Sequence, residues 1–141
     1  MKAVAFDFGD TLVEYEGLPL SWEAHYDSAL TLLAEFASCD LCDEKLGAAR
    51  ETLRKYNTRL KPRTCEVPFS AILEELMFVF RAKITPDIDA AAAVFFSVFR
   101  QRLHCFPDTK PVLNSLRSAE VGVGVLTDVP YGMPRGLERF K

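Results

Sequence analysis

The stretch AFDFGDTL, residues 5–12, sets Asp7 directly after an apolar run and follows it with Gly9, Asp10 and Thr11. A carboxylate at the end of a strand can attack phosphorus or carbon, provided that a cation offsets its repulsion from an anionic substrate. Gly9 is expected to let the backbone turn away in an unusual conformation and to present its carbonyl oxygen to that cation. A second polar mark, Thr127 with Asp128, closes the apolar run VGVGVL. Thr127 offers a hydroxyl and a backbone N–H to a phosphoryl oxygen. Asp7 and Asp10 also suit a plainer task, because aspartates after strands commonly serve as turn and cap residues. Spacing alone leaves both readings open.

Cysteine offers a second chemistry. Cys39 and Cys42 form one C-x-x-C pair, Cys65 and Cys105 stand alone, and His104 precedes Cys105. A structural zinc site usually draws on two close-spaced pairs, and a redox C-x-x-C opens a helix beyond a strand; neither pattern is present. The four are read as free thiols.

The elements that must position Asp7 and Thr127 follow from periodicity. KAVAFDF is apolar on both faces, as expected of a strand buried in a parallel sheet. Residues 21–103 change to a helical period. Trp22, Tyr26, Leu30, Leu33 and Phe36 mark one face, and Leu46, Ala49, Leu53, Tyr56 and Leu60 a second, after Asp43 as N-cap. Phe69, Ile72, Leu73, Leu76 and Phe80 mark a third. Thr85 as N-cap, with Pro86 at the first helical position, leads to Ile88, Ala92, Phe95, Phe99 and Leu103. The aromatic density of the last two helices reads as bundle core, with Leu33, Leu53, Leu76, Phe80, Phe95 and Phe99 at its centre. A further helix begins at Pro107, with Val112, Leu113 and Leu116 on its apolar face, and VGVGVLTD is a second buried strand.

The order is therefore strand, four-helix insertion, helix, strand: a right-handed β-α-β unit opened after its first strand. The fold class is α/β. Ligands of such sheets sit outside the carboxyl ends of the strands, where Asp7 to Thr11 and Thr127 with Asp128 both fall. The parallel pair should bring Asp7 and Thr127 side by side.

The chain of 141 residues is 49% hydrophobic and 26% charged, enough to bury one core. With 17 basic and 20 acidic residues, a net charge of −3 and no basic stripe, it has no signature of nucleic-acid binding. Its apolar runs are shorter than the roughly 20 residues of a membrane span. A single lysine before a short run that ends at Asp7 does not read as a secretory signal, so the expected location is cytoplasmic.

FDFGDTL resembles the first signature of the haloacid dehalogenase-like (HAD) hydrolases, and VGVGVLTD resembles their second. The run CFPDTKPVLNSLRSAEVGVGVLTD is similar to the return from a helical cap in the phosphatase-rich subfamily. The resemblance implies a Rossmann-like core at residues 1–16 and 104–141 and a helical cap at 17–103. It implies that Asp7 is the nucleophile that becomes aspartyl-phosphate, that Gly9 and Asp7 hold magnesium, that Thr11 supports the loop, and that Thr127, with Asp128 beside it, binds the phosphoryl group of a small phosphorylated substrate. Two features depart from the pattern, one at Gly9 and one beyond Thr127. Gly9 stands where family phosphatases carry a second aspartate as general acid, and Asp10, one residue on, is the candidate for that work. Relatives that cleave carbon–halogen or carbon–phosphorus bonds also lack that aspartate; a lysine forming an imine would mark them, with Lys45, Lys55, Lys61 and Lys83 as candidates. The family's lysine and acidic pair follow the second motif, where 14 residues remain after Thr127. The chain thus reads as the front part of such a protein, truncated or naturally short. Two strands rarely make a stable sheet. Either a second copy covers the edge, or the helical bundle carries most of the stability, or the fold is rearranged. A catalytically inactive interaction module is the rival reading.

Overall fold

A computed structural model describes residues 2–16, 21–82, 86–99, 102–126 and 130–133. It is mixed α/β. Two compact units emerge: Met1–Pro19 with Gln101–Asp128, and Leu20–Arg100 with Val129–Lys141.

The first unit holds four short strands and a helix. β1 (Ala3–Phe6) pairs in parallel with β4 (Gly122–Val125), in the register Ala3 with Gly122 and Phe6 with Val125. The crossover ends in α5 (Thr109–Ser118), which packs on β4. Asp108 is its N-cap residue, so the helix starts two positions beyond Pro107. The parallel pairing is as expected, but burial is not. All four residues of β4 are exposed, as are Ala3 and Ala5 of β1. The physical reason is the two-stranded sheet itself, which has too little area for layers on both faces.

β2 (Val13–Glu16) and β3 (Arg102–Cys105) form a separate antiparallel ribbon, with Val13 opposite Cys105 and Glu16 opposite Arg102. Neither strand was expected. Leu103, read as the last turn of the fourth helix, lies in β3 instead. In β2, Val13 and Tyr15 face inward while Glu14 and Glu16 are exposed, the alternation of a half-buried strand.

The second unit is the helical one. After a 3₁₀ turn at Trp22–His25 it contains α1 (Tyr26–Phe36), α2 (Asp43–Tyr56), α3 (Phe69–Phe80) and α4 (Ile88–Ser97). All six predicted core residues are buried, from 0% exposure at Leu33, Leu53, Leu76 and Phe95 to 6% at Phe99. Phe69 and Phe95 rings lie 5.2 Å apart, Phe95 and Phe99 5.3 Å. Such tilted aromatic contacts add to what area burial already supplies. Phe36, Leu60 and Ile88, also assigned to apolar faces, are exposed.

Helix boundaries correct the predicted caps. Cys42 occupies the N-cap of α2, and Asp43 is its first helical residue. At α4 the cap is Asp87, whose carboxylate accepts the Ala90 N–H at 2.9 Å; Pro86 precedes it and Thr85 lies outside the described residues. α3 ends because Arg81 adopts the left-handed conformation (φ 57°), and the Ala82 N–H then donates to the Met77 carbonyl.

The segment around Tyr131, expected to belong with residues 104–141 to the strand-bearing unit, packs instead in the helical core at 4% exposure. Among the described residues no helix is long and apolar enough to cross a membrane.

Candidate functional site

The register levels the carboxyl ends of the parallel pair. Phe6 lies opposite Val125, and the Leu126 N–H donates to the Phe6 carbonyl at 2.8 Å. Asp7 is the next residue on one strand and Thr127 the next but one on the other. Thr127 and Asp128 lie outside the described residues, so only the Asp7 half of the expected pair is seen. Asp7 is exposed, and one of its carboxylate oxygens accepts the Phe8 N–H at 2.7 Å.

Beyond Asp7 the chain closes a tight loop. The Phe8 carbonyl accepts the N–H groups of Leu12 and Val13, at 3.0 and 3.2 Å, and the Asp10 N–H donates to the Val13 carbonyl at 2.8 Å. Asp10, not Gly9, takes the left-handed conformation, at φ 56°. Aspartate tolerates that region better than most residues, and the turn therefore does not demand glycine at position 9 for its dihedrals. Gly9 meets a different constraint: a Cβ there would lie 2.6 Å from Cε2 of Tyr15. Its carbonyl accepts no hydrogen bond from the described residues.

The loop is secured from α5. The buried Thr109 hydroxyl donates to the Leu12 carbonyl at 2.7 Å, and the Phe106 N–H reaches the same oxygen at 3.4 Å. Thr11, assigned to loop support, is exposed, and among the described residues its hydroxyl makes no hydrogen bond. Thr109 performs that task and was not singled out from the sequence; its position at the start of a helix is the only local signal it carries.

Tyr15 is the second residue missed. Burial pushes its phenol pKa above the usual range, with the charges of Asp10 and then Asp7 adding to the effect. The phenol therefore feels both carboxylates, which places Asp7 and Asp10 in one electrostatic neighbourhood. The alternation in VEYE is the signal that would have turned Tyr15 toward the loop. No lysine or arginine among the described residues pairs with Asp7 or Asp10; the ion pairs lie elsewhere, such as Arg50 with Asp27 and Lys55 with Glu75.

Magnesium keeps several waters and takes one or two carboxylates plus substrate phosphate. Exposed Asp7 and the unengaged Gly9 carbonyl are oxygen donors of that kind and fit the cation in chemistry. No group of three or more His, Cys, Asp or Glu side chains converges among the described residues. The four cysteines are free thiols, three of them exposed.

Of the candidate imine lysines, Lys45 donates to the Asp40 carbonyl at 2.7 Å, and Lys55 is held above the usual lysine range by its hydrogen bond to Glu75. A raised pKa keeps an amine protonated and non-nucleophilic. Lys83 lies outside the described residues. A shallow depression among Leu113, Arg117, Glu120, Val121, Gly122 and Val123 belongs to the amino end of β4, away from Asp7. Comparison with protein-family models and with curated proteins finds no match for the chain.

Proposed function

We propose that the chain is a HAD-like hydrolase with a partial Rossmann-like core, acting on a small phosphorylated substrate through Asp7 with magnesium as cofactor. The observation that carries this reading is the level pair of strand ends, with Asp7 emerging from β1 where Thr127 and Asp128 follow β4. In the proposed reaction an Asp7 carboxylate oxygen attacks phosphorus as the bond to the leaving oxygen breaks, giving aspartyl-phosphate. Asp10 is the candidate that protonates the leaving oxygen. Water then attacks the phosphoryl group, and inorganic phosphate departs with the Asp7 carboxylate restored. Thr127 would donate to the phosphoryl oxygens. When held by Asp7 and the Gly9 carbonyl, magnesium supplies the positive charge that lets two anions approach.

Turnover is expected to be slow. In a preorganised site one missing donor costs on the order of 100- to 1000-fold, and the described residues bring no basic side chain to Asp7. The test is therefore covalent rather than kinetic. The chain is incubated with acetyl phosphate and magnesium, quenched in acid, and mapped by peptide mass. A phosphoryl group on Asp7, absent in Asp7→Asn and reduced in Thr127→Ala, is the expected result. Its absence, or its appearance on another residue, removes the reading.

Gly9, standing where phosphatases of the family carry an acid, favours a dehalogenase or phosphonate hydrolase as the second enzymatic reading; borohydride trapping with substrate would reveal its imine lysine. The inactive interaction module draws on exposed apolar side chains, Phe78 at 86% and Leu126 at 77%. A concentration-dependent dimer lost on Leu126→Lys would favour a second copy on the sheet edge.

A further inference from the structure

The helical unit closes around one side chain from far along the chain, Tyr131. Tyr131 is buried, with the rings of Tyr26, Phe95 and Phe99 at 6.1, 6.3 and 6.2 Å from its own. Its hydroxyl meets the Tyr26 hydroxyl in a short hydrogen bond, and Asn57 Nδ2 donates to that same Tyr26 oxygen at 3.0 Å. Aromatic walls with a polar floor recognise a phenol better than a plain ring, because an unpartnered buried hydroxyl is costly. Burial, and next the hydrogen bond to Tyr26, drive the Tyr131 phenol far above its ordinary pKa, so the group held is neutral.

The segment that delivers this ring is strained. Tyr131 is left-handed at φ 54°, unusual for a residue with a bulky side chain. Gly132 follows at φ 61°, where a Cβ would lie 2.1 Å from the Val67 carbonyl oxygen and 2.8 Å from the Phe69 nitrogen. The seated ring offsets the backbone cost of that conformation.

We propose that the helical unit carries a binding pocket for a neutral phenol, occupied in cis by Tyr131, with residues 130–133 as a displaceable strap. The pocket is independent of the chemistry at Asp7.

The probe is p-cresol, with toluene as its control. Replacing Tyr131→Ala in the full chain empties the pocket, and an apolar cavity of this kind takes up aromatic molecules. Calorimetry should show one p-cresol bound per chain, a Tm that climbs with its concentration, and affinity about 10-fold or more above that for toluene, from the hydroxyl left to pair with Tyr26. The additional change Tyr26→Phe should erase that preference. No saturable p-cresol binding by a folded Tyr131→Ala chain, or equal binding of toluene, overturns the proposal. Where Tyr131→Ala does not fold alone, recovery of helical circular dichroism in p-cresol but not in toluene supports the pocket, and no recovery in either counts against it.

Discussion

Gly9 and Tyr15 constrain each other more tightly than any pair visible in the sequence of the loop. A Cβ at position 9 would fall 2.6 Å from the Tyr15 ring edge, well inside van der Waals contact, so the half-buried ring would have to shift to admit it. Gly9→Ala should therefore destabilise the chain by about 1 kcal/mol or more, the range of an overpacked site. The same change in a Tyr15→Ala background should cost close to nothing. A double-mutant cycle in urea measures the coupling; additive costs would show that glycine is required for another reason. Asp7 was legible because a carboxylate ending an apolar run is a local pattern. The left-handed residue was not, since Asp10 and Gly9 both accept that conformation and only the hydrogen bonds from Phe8 to Val13 choose between them. Tyr15 escaped because its approach to Gly9 depends on a strand pairing with residues far along the chain.

At the scale of elements, the long helices and the parallel strands β1 and β4 were legible, and the antiparallel ribbon of β2 and β3 was not. Phe69, Ile72, Leu73, Leu76 and Phe80 repeat a helical face over three turns, and all five are buried in α3. RLHC had no such length, and Leu103 continues the helical spacing from Phe99, so a local reading extends α4 into what pairing with β2 makes a strand. The cap of α4 failed for a related reason. Thr-Pro-Asp holds two residues of capping type, Thr85 and Asp87, on either side of Pro86, and the choice of Asp87 rests on a carboxylate placed 2.9 Å from the Ala90 N–H. Asp87→Ala should accordingly lower stability by about 1 kcal/mol, and Asp87→Asn by much less, because asparagine caps nearly as well. Thermal melts of the two variants against the parent separate these outcomes. Equal losses would point to charge at the helix end, not to the cap hydrogen bond.

Across the whole molecule, three of the four tyrosines and the apolar core fall in the same unit, and both bear on stability. Tyr26, Tyr56 and Tyr131 of the helical unit all have phenol pKa values raised above the ordinary 10.0, burial being the first cause at each. Unfolded tyrosines lose their protons near pH 10 while the folded ones keep theirs. Stability is thus fully present below that pH and falls as pH rises through the folded values. The chain should unfold in alkali above about pH 10, and Tyr131→Phe should flatten that loss while lowering stability near neutrality by about 1 kcal/mol. Melts from pH 7 to 11 test the slope. The apolar core divides more sharply. Every residue of the buried cluster, from Tyr26 to Phe99 and Tyr131, belongs to the helical unit, whereas the described residues of the strand-bearing unit bury only Leu12, Val13 and Thr109. Local opening free energy follows buried contact, and a two-stranded sheet with an exposed β4 has little to lose by opening. Amide hydrogen exchange should therefore be slowest in α1 to α4, at the global unfolding limit, and faster by orders of magnitude in β1 and β4. Phe95→Ala, which empties the centre of the aromatic cluster at a cost of about 3–5 kcal/mol, should lower protection in all four helices together. If β1 and β4 prove as protected as α3, a partner strand must cover their edges under the conditions of the measurement, and the exchange rates should then depend on protein concentration.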